Sequence, residues 1–117
     1  MSEVVCQNFR ELQSLVHEYV MGLPAPRAGS PKIPHYDLWR NLEPVCSTLQ
    51  DRQLAWHISF HPASYPQRFS LFRADVVMPD GTTHTKIAKS AGVALCLAAL
   101  ASAGVSAKFE PQKKRTA

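Results

Sequence analysis

At 117 residues the chain fits a single domain, long enough to bury a modest core. Hydrophobic residues make up 45% and charged residues 19%, a balance that excludes global disorder. The formal net charge is +4, but Lys113, Lys114 and Arg115 sit together at the C-terminus and the remainder carries about +1, which argues against a dedicated nucleic-acid binder.

From the N-terminus, residues 2–21 read as a first helix. Val5, Phe9, Leu12, Val16 and Tyr19 fall at spacings of four, three, four and three, which puts them on one face. Gly22 stops it. Residues 23–36 hold Pro24, Pro26, Pro31 and Pro34, which forbid a helix and favour a stiff, extended linker. The first helix is therefore expected to be an arm that docks on the main body or on another subunit. Asp37 is placed as the N-cap of a second helix running to about Arg52, with Leu38, Leu42, Val45 and Leu49 on one face; Pro44 is expected to kink it near Arg40–Asn41 or to delay its regular part.

Three strands follow. Leu54, Trp56, Ile58 and Phe60 alternate with Ala55, His57 and Ser59, a period of two. Phe72, Ala74, Val76 and Met78 alternate with Arg73 and Asp75. Pro79-Asp80-Gly81 makes a turn, and residues 82–88 form a short third strand. Short connections favour an antiparallel meander. The stretch from Ser90 to Gly104, S-A-G-V-A-L-C-L-A-A-L-A-S-A-G, is apolar nearly all round, and such a helix is buried on most sides. Ser90 caps it and Gly104 ends it in the left-handed conformation.

The fold class is thus α+β: helix, helix, three-stranded antiparallel sheet, helix, arranged as a sandwich around a buried Ala/Leu-rich C-terminal helix. The expected divisions are an arm over 1–22, a linker over 23–36, a body over 37–108 and a basic, disordered tail over 109–117.

Cys6, Cys46 and Cys96 are odd in number and each falls among apolar neighbours on a predicted helix. Buried free thiols in a reducing compartment account for them better than a disulfide framework. The N-terminal M-S-E-V-V-C-Q lacks a basic region followed by an apolar run, and no stretch reaches the ~20 apolar residues of a membrane span. A cytoplasmic protein is expected.

Leu38-Trp39, Trp56-His57-Ile58-Ser59, Asp80-Gly81 and the run Ala94-Leu95-Cys96-Leu97-Ala98-Ala99-Leu100 through Gly104-Val105 together resemble the small phage proteins of the phage ABA sandwich domain family. The resemblance covers roughly residues 36–105. It differs where the family often has Pro near the last helix start and this chain has Ser90-Ala91-Gly92. It implies a phage or prophage origin, an α/β sandwich and action in the host cell; it implies no catalytic residues.

The residues themselves offer two candidate surfaces. His57 and Ser59, Arg73 and Asp75, and His84 and Lys86 are expected to alternate away from the core on three neighbouring strands, forming a polar face of positive bias. Tyr36, Trp39 and Tyr65 lie by proline-rich loops, where aromatic residues mark protein contacts as often as they cap a core. His57 and His61 with Cys46 or His84 lack the converging third and fourth ligands of a zinc site. The cysteines lack the exposed, electropositive setting of a reactive thiol. No metal, cofactor or catalytic constellation is expected.

The functional expectation is a small non-enzymatic binding protein that occupies a host protein, such as an inhibitor of a defence system of the anti-CRISPR kind. A single-strand nucleic-acid accessory and a binder of a small nucleotide signal are the alternatives. Self-association through the first helix also stays open, and no membrane partner is expected.

Overall fold

The computed structural model describes residues 3–23, 42–62 and 70–110. In chain order these form β1 (Val4–Cys6), α1 (Phe9–Leu15) running into a π-helical turn (Val16–Val20), α2 (Glu43–Asp51), β2 (Ala55–His61), β3 (Leu71–Val77), β4 (Thr83–Ala88), α3 (Ala91–Ser102) and β5 (Ala107–Phe109). The α+β class and the antiparallel order β2-β3-β4 match the expectation from the sequence. A second, two-stranded sheet pairs β1 with β5 in parallel.

α3 is the centre. Every residue from Gly92 to Leu100 is buried, and the helix packs against β3, β4, β5 and the π-helical turn. Ser90 is its N-cap, accepting from the Val93 N–H at 3.1 Å. Its other end closes as a Schellman motif. Gly104, at φ +88°, donates to Ala101, and Val105 donates back to Leu100 at 2.9 Å. α2 ends in the same hydrogen-bond pattern, Gln53 donating to Gln50 and Leu54 to Leu49, but with Gln53 at the left-handed position, φ 61°.

Four features differ from the sequence expectation. First, residues 4–6 are a strand, so Cys6 lies on β1 rather than on a helix. Asn8 starts α1 instead, its Oδ1 accepting from the Glu11 N–H at 2.9 Å. Second, the buried line of this segment is Leu12, Val16 and Val20, while Phe9 and Tyr19 are largely exposed. A uniform spacing of four drifts around a regular α-helix. The wider turn, in which Met21 donates to Val16 five residues back, keeps the line facing inward. Third, of the two effects expected of Pro44, α2 shows the delay and not the kink: the helix starts at Glu43, with Pro44 in its first turn, where its missing N–H has no intrahelical partner to lose. Fourth, Phe109 belongs to β5, not to the tail.

The first helix docks on the main body, one of the two placements its sequence suggests. Cys6, Leu12, Val16 and Val20 share one core with Val45, Leu49, Ala74, Val76 and α3. Arg52, just past α2, fastens the segment by donating to the Val20 carbonyl at 2.6 Å. The proline-rich 24–36 stretch, the start expected for the second helix and the tail beyond Glu110 lie outside the described residues.

Candidate functional site

The strand register decides which side chains share a face. Trp56, Val76 and His84 lie side by side across β2, β3 and β4, as do Ile58, Ala74 and Lys86. Ala74 and Val76 are fully buried, so this is the face under the helices. His84 and Lys86 therefore sit on the helix-covered side and not, as the alternation in sequence suggested, with His57, Ser59, Arg73 and Asp75. The register is set by the β3–β4 turn. Met78 N–H donates to Thr82, Gly81 takes φ +92°, and Asp80 Oδ1 accepts from the Thr82 N–H at 2.9 Å.

The outer face carries three rows, Ala55–Val77–Thr83, His57–Asp75–Thr85 and Ser59–Arg73–Ile87, the last two bearing the residues singled out in the sequence. Asp75 is their hub. Its Oδ1 accepts from the Thr85 hydroxyl at 2.5 Å and from Arg73 Nε at 3.2 Å, and its Oδ2 lies 3.9 Å from His57 Nδ1. The Thr85 hydroxyl and the Arg73 guanidinium hold the Asp75 carboxyl below the ordinary value of 3.8, against the opposing effect of burial. Its side chain is 16% exposed, against 48% for Arg73 and 72% for His57, so an anion is tethered at the base of a network whose outer members face solvent. Ser59 Oγ lies 3.3 Å from His61 Nε2 on the same strand. Ile87, 57% exposed, adds an apolar element.

No family model, curated protein or solved structure matches the chain.

The site is thus read from its own geometry. Four of the six predicted sheet-face residues, His57, Ser59, Arg73 and Asp75, are brought together, and His84 and Lys86 are not. Thr85 and Ile87 take their places. Sequence reasoning missed both because Thr83, His84, Thr85 and Lys86 offer no apolar set to fix the parity of β4. With the two basic side chains on the opposite face, Arg73 and Asp75 offset each other and the outer face loses its expected positive bias. Tyr36, Trp39 and Tyr65 lie outside the described residues.

Burial pushes the Cys46 thiol up. It does the same to Cys6, with a smaller contribution from the charge of Glu11. Both shifts disfavour the nucleophilic thiolate. Among the described residues no three of His, Cys, Asp or Glu converge as metal ligands, and no helix is long and apolar enough to cross a membrane.

Proposed function

We propose that the chain is a small non-enzymatic binding protein that grips a partner protein with the outer face of β2, β3 and β4. The observation that carries this reading is the network around Asp75. It holds Arg73 and Asp75 of β3 and Thr85 of β4 on the solvent-facing side of the sheet before any partner arrives, with His57 of β2 beside them. Side chains already held in place lose less conformational freedom on binding. The offset of Arg73 by Asp75, and an exposed Ile87 beside them, suit a protein surface better than a polyanion, whose affinity rests on uncompensated cations. The nucleic-acid and nucleotide readings lose support with the transfer of His84 and Lys86 to the other face. The resemblance in the sequence adds a phage or prophage origin. From that follows a host protein as the target, such as a component of a defence system, and action in the host cytoplasm.

The test begins with capture of partners from bacterial lysate on the tagged full-length chain, identification by mass spectrometry, and measurement of affinity with the purified partner. His57→Ala and Arg73→Ala are expected to leave stability within about 0.5 kcal/mol of wild type. Binding should weaken roughly tenfold, or about 1.4 kcal/mol, for at least one of them. Unchanged affinity in both variants would move the working surface elsewhere. Salt-dependent binding of single-stranded oligonucleotides at comparable strength would favour the nucleic-acid reading instead.

A further inference from the structure

We draw no further inference here: the strongest candidate, the largely apolar cleft of about 720 Å³ between β4 and β5 with Val93 and Leu97 of α3 among its lining, carries nothing because nothing in the structure shows what covers it.

Discussion

Asp75 fastens β4 to β3 through the Thr85 hydroxyl and holds Arg73 on its own strand, so its protonation is felt across that pair of strands. Its folded-state value lies below 3.8, so the stability it contributes is fully present above that value and is lost as pH falls through the depressed one. Denaturant midpoints are expected to drop as pH falls below about 4. Asp75→Asn should flatten that limb, since an amide has no proton to gain there. Asp80, lowered chiefly by the Thr82 backbone N–H, keeps part of the slope. An identical acid limb in the variant would show that the Thr85 and Arg73 hydrogen bonds do not survive in solution. The same residue marks how far the site was legible in sequence. Arg73 and Asp75 could be placed on the outer face because Phe72, Ala74 and Val76 alternate with them. His84 and Lys86 could not, because β4 has no comparable apolar series and its parity depends on a turn whose hydrogen bonds lie in the backbone.

Among the elements α3 was the most legible: an unbroken apolar run between a capping serine and a terminating glycine has few other readings. Its alanines are fully buried at positions 94, 98 and 99, where small side chains let the sheets approach. Ala98→Leu should therefore cost about 1–3 kcal/mol through overpacking, measured by chemical denaturation. Leu100→Asp should abolish soluble folding, because the charge would be buried without a partner. Full solubility and an unchanged melting temperature in both variants would remove α3 from the centre of the core. β1 and β5 were not legible at all. Three residues hold too little alternation to register a period, and their pairing depends on residues brought together from the two ends of the described chain. The inward turn of Val20 was hidden for a related reason, since a π-helical turn changes the period on which helix faces are counted.

On the scale of the molecule, the proline-rich stretch suggested a separable arm, whereas the core runs through it. Leu12, Val16 and Val20 are fully buried, and burying such side chains is worth about 1.5–3 kcal/mol each. Three of them rival the net stability of a small domain, about 5–15 kcal/mol. Deleting residues 1–23 should therefore unfold the chain, not release an intact body. Circular dichroism and thermal melting of the truncated protein check this: a cooperative transition near the wild-type temperature would restore the arm as a separate unit.

The parallel pairing of Val4 with Ala107 also has a consequence in time. A ribosome makes β1 about a hundred residues before its partner. Until β5 emerges the exposed Val4 and Val5 have no strand to pair with, and the pocket that receives Leu12, Val16 and Val20 does not exist until α3 emerges. Closure of this fold therefore waits until β5 has been made, and the nascent segment carrying Val4 and Val5 spends the time before then as an open apolar ribbon within reach of chaperones.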